Sequence, residues 1–258
     1  MNELAWVLLD TASDGAIAGF LTFLRVGAVM AVLPGFGEQT VPVRVKLVLA
    51  LAFTAIVAPS VAPSLLPLIN GAAPILVCLA TEPLIGLSLG LVLRLMVLAL
   101  EMAGTMAAQS TSLSQLFGAG GEPMPTMSHL FVAGGLALAM MAGLHVRVAE
   151  VLILSYDALP PGAFPDAGIM RGWGTRHIAR AFALAFSLAA PFVIASLIYN
   201  VALGAINRAM PQLMVAFVGA PALTLGALLL LAVAAPLGLA LWLGAYEALL
   251  GDPFGGPA

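Results

Sequence analysis

Charge is what this sequence has least of. From Ala209 to Tyr246 it holds no Asp, Glu, Lys, Arg or His. Over 258 residues, charged side chains make up 8% and hydrophobic ones 62%, with a mean hydropathy of +1.12. A water-soluble domain carries about 25% charged residues, because its surface must be polar. The shortfall excludes a soluble fold and marks an integral membrane protein. Cysteine is scarce too. Cys78 stands alone, so no intramolecular disulfide can form, and its apolar surroundings suit a small buried hydrophobe. The three histidines, His129, His145 and His177, are far apart and offer no metal-ligand spacing. No P-loop, H-E-x-x-H or G-x-S-x-G pattern is present, so no metal or cofactor is implied and catalysis is not expected. The net charge of −3 is spread thinly, and no block of like charge suggests a nucleic-acid partner. The opening MNELAWVLLDTASDG carries Glu3, Asp10 and Asp14 but no Lys or Arg. It lacks the positive start of a cleavable signal peptide, so the first apolar segment is expected to stay in the protein.

What is present is long apolar sequence. Six regions stand out: Gly15–Leu33, Val45–Leu68, Pro74–Leu100, Met127–Leu154, Ile178–Ile206 and Leu213–Leu250. Each is long enough for the roughly 20 helical residues that cross a hydrocarbon core. The runs are continuous and lack the alternation of a membrane barrel, so the expected fold class is all-α, an integral membrane set of helical hairpins. Proline adds a complication. Pro59, Pro63, Pro67 and Pro74 lie near Asn70 and Gly71, which predicts two helical limbs joined by an uncharged bend. The uncharged stretch from Ala209 to Tyr246 would extend about 57 Å as one straight helix, far beyond the apolar thickness of a bilayer. It is expected to kink, fold back or leave the membrane, with Pro221 and Pro236 as the break points. Arginine and lysine positions give no consistent orientation under the positive-inside rule. The terminal GDPFGGPA reads as frayed.

The least apolar stretch is a connector from Glu101 to Thr126, EMAGTMAAQSTSLSQLFGAGGEPMPT. It has uncharged hydrogen-bonding side chains, then Phe117 followed by Gly118, Gly120 and Gly121, with only Glu101 and Glu122 charged. Two readings stand side by side: a loop resting on the helices, or a pliable element in a channel or between subunits. Ionisable residues within apolar sequence are functional suspects. Here they are Arg25, Glu82, Arg94, His145, Arg147, Glu150 and Arg208. Arg147 and Glu150 are spaced to pair on one helix face. For most of the others, pairing with a neighbouring subunit is the expected role. Their scatter argues against a proton relay.

Several separated stretches carry a family resemblance. INRAMPQLMVAFVGAP, from Ile206 to Pro221, looks like an R-x-x-P-Q-L-N-V-F-x-x-G-x-P signature. GLHVRVAEVLILSYDALPPG, from Gly143 to Gly162, matches a G-x-H segment followed by a Ser-aromatic pair and P-x-G. Arg25, Pro34, Pro42 and Arg44 fit an Arg, a Pro and a P-x-R step. In these respects the chain resembles the FliR family, the flagellar branch of the FliR/SctT export-gate proteins. Met214 stands where the family has Asn, and Ala216 where it has Phe. The Lys of the injectisome branch after the final Pro is absent, since Ala222, Leu223 and Thr224 follow Pro221.

The resemblance implies a multi-pass protein of the bacterial inner membrane and flagellar basal body, a FliP-like unit joined to a FliQ-like unit. One domain would span residues 1–258, with a plug in the connector at about 101–126 and a C-terminal hairpin at about 209–250. The implied partners are FliP- and FliQ-like subunits, an FlhB-like subunit and membrane lipid, with unfolded flagellar proteins as substrate. The implied plug residues are Gln115, Phe117, Gly118, Gly120, Gly121 and Glu122. The implied subunit-packing residues are Arg25, Arg44, His145, Arg208, Pro211, Gln212, Gly219 and Pro221. An injectisome counterpart is the alternative reading. A stand-alone permease would need a midplane site, commonly between repeats, and the sequence has neither. An intramembrane enzyme would need a nucleophile with its base, or a metal cluster, and neither is seen.

Overall fold

The computed structural model describes residues 2–38, 41–69, 72–111, 126–209 and 215–255. Among the described residues there are helices and no strand. They are α1 (Asn2–Val32), α2 (Val43–Ile69), α3 (Ala72–Ser110), α4 (Thr126–Met141), α5 (Leu144–Ala158), α6 (Ala167–Ala209) and α7 (Val215–Gly251). Five are long and apolar enough to cross a membrane, and α4 with α5 makes a sixth span if the bent pair counts as one.

Proline does not break these helices. α2 runs through Pro59, Pro63 and Pro67, α3 through Pro83 and α6 through Pro191. α7 continues through the positions of Pro221 and Pro236 as one helix of 37 residues. The expected breaks at Pro221 and Pro236 are therefore corrected: α7 is continuous over 215–251, and residues 210–214, which precede it, lie outside the described residues. A proline deletes one backbone hydrogen bond. Unwinding the helix would leave several groups unsatisfied where no water can reach them, so the helix persists. The three prolines of α2 recur every fourth residue, all on its exposed face. The bend expected near Asn70 and Gly71 also lies outside the described residues.

The apolar run Met127–Leu154, expected as one region, is divided at Gly143. This residue has φ 83°, a left-handed conformation open to glycine. Its carbonyl then accepts from the N–H groups of Val146 and Arg147 at 2.9 and 3.2 Å, which starts α5. α6 begins eleven residues before its apolar run, because Asp166 Oδ1 accepts from the Ile169 N–H at 2.9 Å, an N-cap. The connector is shorter than expected. Residues 101–110 belong to α3, where the Thr105 and Thr111 hydroxyls donate back to the carbonyls of Glu101 and Ala107 at 2.8 Å each.

The chain forms two units. The first takes residues 1–94, 143–177 and 248–258. In it α1 packs along α2, and α2 meets α5. α1 also lies hard against α3. A Cβ on Gly86 would sit 2.3 Å from the Arg25 carbonyl oxygen, and one on Gly90 2.4 Å from Val32 Cγ2. The segment Gly86-Leu-Ser-Leu-Gly90 thus has the small-xxx-small spacing that lets membrane helices approach closely. Cys78 is buried, as its setting suggested. The C-terminal residues before 256 are pinned rather than frayed. Trp173 Nε1 donates to the Pro253 carbonyl at 2.8 Å, and Phe254 stacks on the same indole.

The second unit takes residues 95–142 and 178–247, the parts of α3, α4, α6 and α7 that form a four-helix set. Phe131 of α4 meets Phe192 of α6 edge-on. Trp242 Nε1 of α7 donates to the Met96 carbonyl of α3 at 2.7 Å, and Gly135 of α4 leaves room for Leu100 and Trp242. α6 and α7 run antiparallel, since Leu188 meets Gly238 while Ser196 and Ala227 line one cavity.

Gly86→Ala is expected to destabilise the chain by about 1–3 kcal/mol, because backbone must move to admit the methyl group. Gly174→Ala meets nothing within 4 Å and should change stability by no more than about 0.5–1 kcal/mol, in the stabilising direction. Thermal unfolding of the two purified variants in one detergent checks the contrast.

Candidate functional site: a buried charge clamp and the stems of the connector

Two polar constellations lie within the apolar helices. The first centres on Arg25, on α1 with no exposed surface. Its Nε donates to Glu82 Oε2 of α3 at 2.7 Å, and its Nη2 donates to Glu82 Oε1 at 3.2 Å. The bidentate geometry suits a planar guanidinium. Nη1 donates to the Ser155 carbonyl and hydroxyl at 2.9 and 3.0 Å, and Nη2 also to the Leu159 carbonyl at 3.0 Å. The Tyr156 ring lies 3.7 Å from the guanidinium carbon, within cation–π range. One side chain thus ties α1, α3, α5 and the turn after α5. Glu82, Gly86 and Gly90 share one face of α3, so the close approach at the glycines delivers the carboxylate to the arginine.

The second constellation holds the ends of the connector. Gly104 of α3 abuts α4, where a Cβ would sit 2.4 Å from Ser128 Cα. Ser128 Oγ donates to the Glu101 carbonyl at 3.0 Å. At the end of α3, the Ser110 carbonyl accepts from the Ser196 hydroxyl of α6. Asn200 Nδ2 donates to the Ser196 carbonyl and hydroxyl at 2.9 and 3.2 Å. Thr111 and Ser196 also line a cavity of about 280 Å³ between α6 and α7.

The sequence candidates are distributed differently from expectation. Arg25 was expected to pack against another subunit; its side chain is fully buried and bound within its own chain. Glu82, expected like most of the ionisable residues to pair outside the chain, is its partner. Arg147 and Glu150 pair as their spacing predicted, at 3.1 Å on an exposed face. Arg94 points Nη1 towards the Val32 carbonyl at 3.4 Å. Arg44, His145 and Arg208 are exposed, Arg208 in the last turn of α6. Gly219 and Pro221 lie in the backbone of α7. Pro211 and Gln212 lie outside the described residues, as do Gln115, Phe117, Gly118, Gly120, Gly121 and Glu122. Ser128, Ser196, Asn200 and Trp242 were not singled out from sequence. The available signal was a polar group inside an apolar run, and for Gly86 and Gly90 their spacing.

A single family accounts for nearly the whole chain. The sequence profile described as "Bacterial export proteins, family 1" matches residues 16–249. The chain belongs to this family. Among its relatives is the flagellar biosynthetic protein FliR of Caulobacter vibrioides, 32% identical over 236 residues, covering 89% of this chain and 93% of the relative. FliR of Aquifex aeolicus is 29% identical over 230 residues, covering 88% of each chain. FliR of Escherichia coli K12 is 30% identical over 213 residues, covering 80% of each. As a member of the bacterial export proteins, family 1, the chain is a subunit of the flagellar export apparatus. Its five or six apolar helices make it a multi-pass protein of the inner membrane.

Glu82→Ala leaves Arg25 charged and buried without its counter-ion, and is expected to cost about 3–5 kcal/mol. Arg25→Met combined with Glu82→Leu removes both charges and should melt above Glu82→Ala alone. Melting temperatures of the two variants that match wild type would contradict the clamp.

Proposed function

We propose that the chain is a non-enzymatic subunit of a protein-export pore, assembled with FliP- and FliQ-like subunits next to an FlhB-like one. Unfolded flagellar proteins are its cargo. The family and its flagellar relatives support this reading over an injectisome role. The observation that carries it is where the polar and apolar groups lie. The buried Arg25, Glu82, Ser128 and Trp242 are bonded inside their own units, whereas the long helices keep bare apolar ridges. Along α7, Leu225, Leu229, Val233, Leu237 and Leu241 recur every fourth residue with 61–70% of their surface exposed. α6 carries Phe182, Phe186, Leu197 and Val201, 59–66% exposed. α7 is about 55 Å long, well over the apolar thickness of a bilayer. A helix of that length overshoots the hydrocarbon layer, so part of it suits neighbouring hairpins better than lipid. In this reading α6 and α7 form the FliQ-like hairpin, the preceding helices the FliP-like part, and the chain works as one domain. The connector between residues 111 and 126 serves as the gate element, carried by the glycine-rich run from Gly118 to Gly121. Arg208, exposed at the end of α6, is a partner contact.

Two measurements test the proposal. Gly120→Trp should alter resting ion leak or flagellar secretion at least severalfold; normal values for both would remove the gate role from the connector. Arg208→Ala or Pro211→Ala should lower the yield of FliP- and FliQ-like subunits co-purified with the tagged chain. Undiminished recovery with both variants would contradict a contact there.

A further inference from the structure

We propose that Arg176 and Arg180 on α6 form a headgroup site for an anionic phospholipid, with an acyl chain lying along Ala183 and Ser187 beneath them. α6 carries Arg171, Arg176, Arg180 and Arg208 and no Asp or Glu. Several basic side chains elsewhere are engaged: Arg25 with Glu82 and Arg147 with Glu150, and Lys46 with the Gly37 carbonyl at 2.9 Å. Arg176 and Arg180 are exposed, and neither forms an ion pair among the described residues. The carboxylates around the start of α6 are already occupied. Asp166 Oδ1 accepts from the Ile169 N–H. Asp252 Oδ1, next to the Trp173–Pro253 bond, accepts from the Gly255 N–H at 2.7 Å. The two guanidinium groups therefore call for an anion from outside the chain.

Depth decides which anion. From Ala181 to Asn207 the helix holds no Asp, Glu, Lys, Arg or His, a length of about 40 Å. A bilayer is about 30 Å thick without its headgroups and about 40–45 Å with them. Arg180 therefore stands at the level of the lipid phosphates, and Arg176 one turn further out. Side chains on a helix lean towards its N-terminus, which here is the end away from the apolar run. In keeping with this, Arg176 Nη1 lies 3.6 Å from where a Cβ on Gly172 would sit. Arg176, Arg180, Ala183 and Ser187 follow at i, i+4, i+7 and i+11, all exposed, and so share one face. Two cations head this face and small side chains continue it towards the apolar interior. The Ser187 hydroxyl is turned back to the Ala183 carbonyl at 2.8 Å, which leaves the lower face shallow and without a free donor. A phosphate with an apolar tail fits that sequence of groups; a soluble anion uses only its upper half. Phe182 and Phe186 stand six residues on from Arg176 and Arg180, about a third of a turn around the helix, so a lipid here leaves the apolar ridge to protein partners.

The test uses the full chain, purified in a non-ionic detergent with the export subunits that accompany it. Equal amounts of dioleoyl phosphatidylglycerol and dioleoyl phosphatidylcholine are added, and native mass spectrometry counts the lipids retained. Wild type should retain phosphatidylglycerol over phosphatidylcholine by at least about fivefold, the scale of one cation at an anionic lipid surface. Arg176→Gln combined with Arg180→Gln should bring the ratio close to one. Arg176→Lys combined with Arg180→Lys keeps both charges and should keep most of the preference, since lysine also binds phosphate. Arg171 stands five residues before Arg176, on another side of α6, so Arg171→Gln should leave the ratio unchanged. An equal loss in Arg171→Gln would reduce the effect to net charge and overturn the site. A wild-type ratio near one overturns it as well; if the double Gln variant then also loses co-purified subunits, the face belongs to an acidic protein partner. Complete displacement of phosphatidylglycerol by excess inorganic phosphate would reveal an anion site with no use for a lipid tail and contradict the proposal, whereas retention supports it.

Discussion

The pairing of Arg25 with Glu82 is the interaction on which the first unit depends. Inside a hydrocarbon layer an ionised side chain has no water to exchange with, so every donor it carries must find an acceptor in protein. Arg25 does so through four partner groups on three segments of the chain. Such a pair adds little net stability compared with apolar residues of the same volume. Its contribution is registry. Only one relative placement of α1, α3 and α5 satisfies the guanidinium, and that placement requires glycine at residue 86, where the Arg25 backbone presses against α3.

The second unit reaches the same end without charge. Trp242, Ser128 and Ser196 each donate to a backbone carbonyl of α3. Three donors from three helices meet one helix at Met96, Glu101 and Ser110, so α3 is held along the length it contributes. Small residues again permit the approach: Gly104 at Ser128, and Gly135 at Leu100 and Trp242. Up to Glu247, the outward face of α7 is left with aliphatic side chains, and that of α6, between its arginines, carries Phe182, Phe186, Leu197 and Val201. This division suits a part built into an assembly, where neighbours supply what the chain lacks.

Much of this was legible in the sequence. The absence of charge from 209 to 246 announced the membrane, and the lengths of the apolar runs announced helices. The proline rule failed because it is calibrated in water; in lipid the unwound alternative loses more hydrogen bonds than a proline does. The break at Gly143 was hidden inside a continuous apolar run, since composition does not reveal which glycine adopts positive φ. Trp173 and its hold on Pro253 are 80 residues apart, and Arg25 and Glu82 are 57 apart. Local patterns carry no information on such pairs. Arg25 and Glu82 were each visible as suspects, but only the fold shows that they satisfy one another.

The central claim is that the buried charge pair is satisfied within the chain while its bare apolar ridges are reserved for partner subunits. Single cysteines at Leu229, Val233 and Leu237, introduced with Cys78→Ala, can be labelled by a lipid-phase thiol reagent in membranes with and without the remaining export subunits. The account predicts strong labelling of the chain alone and severalfold weaker labelling when the partners are present. Equal labelling in both membranes would show that the ridge faces lipid and would contradict the claim.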